Sequence, residues 1–155
     1  MTKRYNLVLP YVEALRVIGR HLDEEAASDA HLVEQRDGFV VRFHPRGERD
    51  VLRETRFTLA QLRTTIIRYA GERVFRADKR PQASMNGHQN LLRVIGSILD
   101  GEGAHGLDLA DGPEGVSVSY GRGSADRCIR TQLLISPEEV ATMMQQAPLR
   151  RERLE

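Results

Sequence analysis

"LRVIGRHLDEEAA", Leu15–Ala27, returns as "LRVIGSILDGEGA", Leu92–Ala104, with nine of thirteen positions identical at an offset of 77 residues. The match continues downstream. Gly38, Val41 and Phe43 fall on Gly115, Val118 and Tyr120, and Glu34 and Asp37 fall on Asp111 and Glu114. After one residue of slippage, "RGERD" at Arg46–Asp50 meets "RGSAD" at Arg122–Asp126. Both stretches then end in the same helix-start grammar, a hydroxyl three residues before a long polar side chain: Thr58 with Gln61, and Ser136 with Glu139. That spacing predicts a capping box, in which the hydroxyl accepts from a free backbone N–H and the later side chain returns to the cap's own N–H.

Within each unit the hydrophobic period changes from helical to extended. Val12, Leu15, Ile18, Gly19 and Leu22 recur at three- and four-residue spacing after Pro10, as do Leu92, Ile95 and Leu99 after Asn86, which predicts an amphipathic helix in each half. "HLVEQRDGFVVRFH" then alternates, as two strands joined at Asp37-Gly38 with Phe39, Val41 and Phe43 on one face and Val40, Arg42 and His44 on the other. The second half sets Val116, Val118 and Tyr120 against Ser117 and Ser119. "VLRETRF" and "RCIRTQLLI" supply a third strand to each meander, and the capped helix closes the unit.

The expected fold is therefore α+β: a tandem duplication of an αβββα unit, antiparallel meanders with helices packed on one face, related by a pseudo-twofold. Residues 1–155 form one compact domain in this reading, with repeats at about 10–70 and 87–147 joined by a linker at 71–86. Whether the six strands share one sheet or form two facing layers is left open by the pattern. "RVFRA" in the linker and "YNLVL" near the N-terminus offer further edge strands, and the tail "APLRRERLE" is expected to fray. Each meander alone buries one face and a marginal core, which the second copy completes.

Composition places the chain among ordinary globular proteins, at 40% hydrophobic and 29% charged, with a net charge of +1 that favours no partner. No apolar run approaches the roughly 20 residues of a membrane helix, and "MTKRYNLVLP" is too short in apolar residues for a secretory signal. With Cys128 as its only cysteine the chain makes no internal disulfide, and a cytoplasmic location is expected.

Candidate chemistry is sparse. "GEGAHG" at 101–106 has GxGxxG spacing but leaves a helix and precedes strands, the reverse of a dinucleotide fingerprint, so glycines ending a helix explain it better. His21, His31, His44, His88 and His105 show no short-range metal spacing, and no metal or cofactor is expected. His44, beside Arg42, is the one to watch. Cys128 has Arg127 and Arg130 near it but no base in sequence, so packing as a buried or half-buried small hydrophobe is expected. Glu25 recurs as Glu102 among apolar matches, which points to shared packing geometry. The RGxxD stretches are read as turns in preference to anion loops.

Charge is lopsided along the chain. Residues 40–80 hold eleven arginines and lysines against five carboxylates, a net of +6, while residues 97–126 carry six carboxylates against Arg122, a net of −5. Arg42, His44, Arg46, Arg53, Arg56 and Arg122 are accordingly the candidate binding residues. They fit either phosphates or the acidic half of a second copy. Phe39, Phe43, Phe57 and Tyr120 fall on core positions, against stacking on single-stranded bases. The expectation is a non-catalytic binding or regulatory module acting through protein–protein contact, with a protein partner or itself as a homodimer. Nucleic-acid binding through the arginine-rich face, or a small enzyme of unknown class, are the alternatives.

Overall fold

The computed structural model describes residues 9–75, 87–123 and 127–145, with 69–75 described by their backbone. Among the described residues, four α-helices and a six-stranded antiparallel sheet make an α+β fold. Helix α1, Tyr11–Glu24, buries Ala14, Leu15, Val17, Ile18 and Leu22, and helix α3, Gly87–Glu102, buries Leu91, Leu92, Ile95 and Leu99. These are the three- and four-residue stripes of the sequence, and they lie against each other as well as against the sheet.

Close approach of the two helices explains the glycine that both segments carry. A Cβ built on Gly19 would sit 2.7 Å from Gln89 Cα, and one on Gly96 would sit 2.6 Å from Val12 Cα, so backbone meets backbone at both points. One turn later each helix carries an aspartate that caps the other. Asp23 accepts from His88 N and Gln89 N at 2.8 and 3.0 Å, and Asp100 accepts from Tyr11 N and Val12 N at 2.8 and 3.0 Å. The helices are thus antiparallel, each C-terminal turn neutralising the other's free N–H groups. Pro10, at the N-cap of α1, contributes no side-chain bond of its own. Asp100→Ala is therefore expected to cost about 1–2 kcal/mol in urea unfolding, with Asp100→Asn costing less.

The strands are β1 (Ser28–Gln35), β2 (Gly38–His44), β3 (Arg53–Thr58), β4 (His105–Gly112), β5 (Gly115–Arg122) and β6 (Ile129–Ile135). They form one sheet in the order β3-β2-β1-β4-β5-β6, which decides between the single sheet and the two facing layers. At its centre β1 runs antiparallel to β4 with Leu32 opposite Leu109. Ala30, Leu32, Phe39, Val41, Phe43, Leu107, Leu109, Val116, Val118 and Tyr120 join the helix stripes in one core cluster. The alternate residues face away from it.

Helices α2, Leu59–Phe75, and α4, Pro137–Gln145, follow the last strand of each half. Both capping boxes form. Thr58 Oγ1 accepts from Gln61 N at 3.1 Å while Thr58 N donates to Gln61 Oε1 at 3.0 Å. Ser136 Oγ accepts from Glu139 N at 3.2 Å while Ser136 N donates to Glu139 Oε1 at 3.0 Å. One expectation about the connecting stretch needs correction. Helix α2 continues to Phe75, so "RVFRA" begins in helix, not in an edge strand. A helix already nucleated by its cap adds one hydrogen bond per residue as it propagates, which carries it past Gly71 despite glycine's poor helix propensity. "YNLVL" up to Val8, and the tail from 146, lie outside the described residues.

Candidate interaction surface

The candidates chosen from sequence do not converge. Arg42 and Arg56 lie on the open face of the sheet, where both reach Glu54, at 3.0 and 3.4 Å. Arg53 pairs with Glu25 at 3.2 Å, near the C-terminal end of α1, and Arg122 pairs with Glu102 at 2.9 Å, at the corresponding end of α3. Because α1 and α3 are antiparallel, those two pairs sit at opposite ends of the molecule. The recurring Glu25 and Glu102 therefore each take an arginine. Arg46 holds a turn: its N–H donates to Glu25 O at 3.0 Å, its guanidinium reaches Glu24 O at 3.3 Å, and it and Gly47 both adopt positive φ. His44 Nδ1 lies 2.7 Å from Val51 O. Each arginine of the set is engaged within the chain, and a guanidinium so engaged has fewer N–H groups left for a phosphate.

Several titratable groups meet that the sequence did not bring together. His88 lies between Asp23, 3.3 Å from Nδ1, and Asp111, 3.4 Å from Nε2. Burial alone would lower its pKa, but hydrogen bonds to Asp111 and Asp23 and their negative charge overcome that and push it up to about 9. His31 Nε2 meets Asp108 Oδ1 at 2.9 Å across the β1–β4 seam, on the exposed face. At the far end of the helix pair a recess of about 360 Å³ is lined by Tyr11, Glu34, Arg36, Phe39, Asp100 and His105. Its carboxylates are already in use, since Glu34 accepts from Tyr11 Oη and from Leu107 N and Asp100 caps α1. Both carboxylates thus hold main-chain N–H groups of the fold, and Glu34 the phenol of Tyr11 as well.

Cys128 corrects a further expectation. The thiol is exposed, because it precedes β6 at the rim of the sheet, beyond the cover of the helices. His105 Nε2 lies 3.9 Å from its sulfur, but is also 3.2 Å from Gly123 O.

A second, mainly apolar recess lies between β6 and α4. Ile98, Leu133, Leu134, Ile135 and Met143 line a groove of about 450 Å³, with Glu138, Glu139 and Thr142 also on its wall. Leu134 is 70% exposed and Ile129 62% exposed, on a strand whose outer side pairs with nothing among the described residues. The sequence signal was present in "RTQLLI", where Leu133-Leu134-Ile135 breaks the alternation and sets an apolar side chain on the open face as well as on the helix face. Consecutive apolar residues equally describe a strand buried on both sides, so the run by itself does not mark an exposed face.

No helix among the described residues is long and apolar enough to cross a membrane, and those residues hold no group of three or more His, Cys, Asp or Glu placed for a metal ion. In comparison with known proteins, no family model, no curated protein and no solved structure matches the chain.

Proposed function

We propose that the chain is a non-catalytic binding or regulatory module, acting through protein–protein contact and self-associating. In this reading it is one compact cytoplasmic domain made of two αβββα copies about a pseudo-twofold. The doubling is supported by the pairs that exchange under the 77-residue offset: Leu32 with Leu109, Gly19 with Gly96, Asp23 with Asp100, and His88–Asp111 with Tyr11–Glu34.

The observation that carries the binding role is the apolar groove beside the open β6 edge, set against arginines already paired. Exposed apolar side chains flanking a free edge are what a protein contact covers. Phosphate-backbone binding draws on the exposed Arg42 and Arg56, but Glu54 between them offsets much of their charge.

Molar mass in solution, at low and high salt and with and without nucleic acid, tests the proposal. A mass above the 17.5 kDa of one chain, held at high salt and unchanged by nucleic acid, is expected. A monomer retained on DNA or RNA, released steeply by salt and weakened by Arg42→Ala or Arg56→Ala, moves the reading to nucleic acid. A monomer indifferent to both overturns it in favour of an enzyme.

A further inference from the structure

We infer that the β6 edge, Ile129–Ile135, takes a second copy of this chain, antiparallel and edge to edge, so that two six-stranded sheets continue across a twofold axis. The inference rests on the binding-module reading and names its partner and its surface.

Among the described residues the sheet ends at β3 and β6, and these two edges are treated differently. β2 pairs with β3 through Val41 opposite Thr55, and β5 pairs with β6 through Val118 opposite Leu133, so the registers set Arg53, Glu54, Arg56 and Phe57 against Thr131, Gln132, Leu134 and Ile135. β3 therefore presents charges along its length, tied down by Glu25 and by one another. Charged side chains on an edge strand discourage pairing with another chain. At β6 the matching positions are uncharged, and Leu134 faces solvent. An unguarded edge opposite a guarded one is the pattern of a sheet that adds a strand on one side only.

Charge order selects the occupant. The segment from Arg127 to Glu139 begins with Arg127 and Arg130 and ends with Glu138 and Glu139, with no charge between Arg130 and Glu138. Two identical segments laid antiparallel bring the basic start of one beside the acidic helix start of the other, twice, by symmetry. Parallel pairing would stack like charges. Arg130 is placed for this, since its guanidinium holds the neutral Ser119 Oγ at 3.2 Å and Gly106 O at 3.0 Å and forms no salt bridge among the described residues. The pairing is isologous and closes at two copies, because β6 has a single side unpaired among the described residues. Strand pairing contributes main-chain hydrogen bonds, and the groove beside β6 gives the partner's apolar side chains a place to pack.

Sedimentation equilibrium of the full chain over a concentration series tests this, and a dimer is the expected species. Leu134→Lys combined with Ile129→Lys changes only exposed side chains and installs the missing guards, so it should give a monomer with an unchanged far-ultraviolet circular dichroism spectrum. Arg130→Glu and Glu138→Arg should each weaken dimerisation at least about tenfold, and the double variant should recover most of the loss. A wild-type chain that stays monomeric overturns the inference together with the self-association part of the functional reading, and leaves the edge to an extended segment of another protein. A wild-type dimer unmoved by the lysine variant and by both charge reversals overturns the β6 assignment alone.

Discussion

Alanine at Gly96 is expected to lower the unfolding free energy by about 3 kcal/mol. By helix propensity alone the change should stabilise, since glycine inside a helix is worse than alanine by about 1 kcal/mol. The crossing with α1 reverses the sign. A Cβ at Gly96 would lie 2.6 Å from Val12 Cα, 2.9 Å from Val12 N and 3.0 Å from Tyr11 C, all backbone atoms that no rotamer change can move. Relief requires the helices to separate, which loosens the Leu15, Ile18, Leu92 and Ile95 packing and lengthens the bonds from Asp23 and Asp100. Gly19→Ala meets the same obstacle, 2.7 Å from Gln89 Cα and 2.8 Å from His88 O. The double variant should cost less than the two singles together, because one separation relieves both clashes. Gly101, in the same helix with nothing within 4 Å of its built Cβ, is the control. Gly101→Ala should be neutral or stabilising by up to about 1 kcal/mol. Urea unfolding of the three single variants and the double separates a crossing effect from a propensity effect.

Raising the pH from 6.5 to 9 should remove about 3 kcal/mol of stability through His88 alone. Its pKa, ordinarily 6.5, is about 9 in the folded chain, because Asp111 and Asp23 favour the imidazolium more than burial disfavours it. The folded state therefore holds this proton more tightly than the unfolded state does. The stabilisation is fully present below pH 6.5 and is lost as pH rises towards 9. His88→Gln can still hydrogen-bond but does not titrate, and should flatten the stability profile in that window. A wild-type profile level from pH 6.5 to 9 would show that the carboxylates do not hold the proton. At the equivalent position Tyr11 has its pKa raised by burial and by Glu34, so a second loss is expected above pH 10, where an unfolded tyrosine would ionise.

Helix stripes, strand alternation, the hairpin at Gly38 and both capping boxes were legible in the sequence because each rests on contacts a few residues apart. The candidate arginines were legible only as charges. Their significance changed once Glu25, Glu54 and Glu102 closed on Arg53, on Arg42 and Arg56, and on Arg122. Cys128 was expected to pack as a small hydrophobe, but a residue preceding an edge strand has no layer above it.

The sequence by itself determined the α+β class, the order of its elements and the residues that face the core, since periods of 3.6 and 2 are local properties of a chain that must hide its apolar side. Tertiary structure alone decided that the strands share one sheet, that Asp23 and Asp100 cap each other's helices, that His88 sits between two carboxylates, and that β3 and β6 lie outermost among the described strands. Those facts depend on which distant segments meet, and a contact across 65 or 89 residues leaves no spacing in the sequence to reveal it.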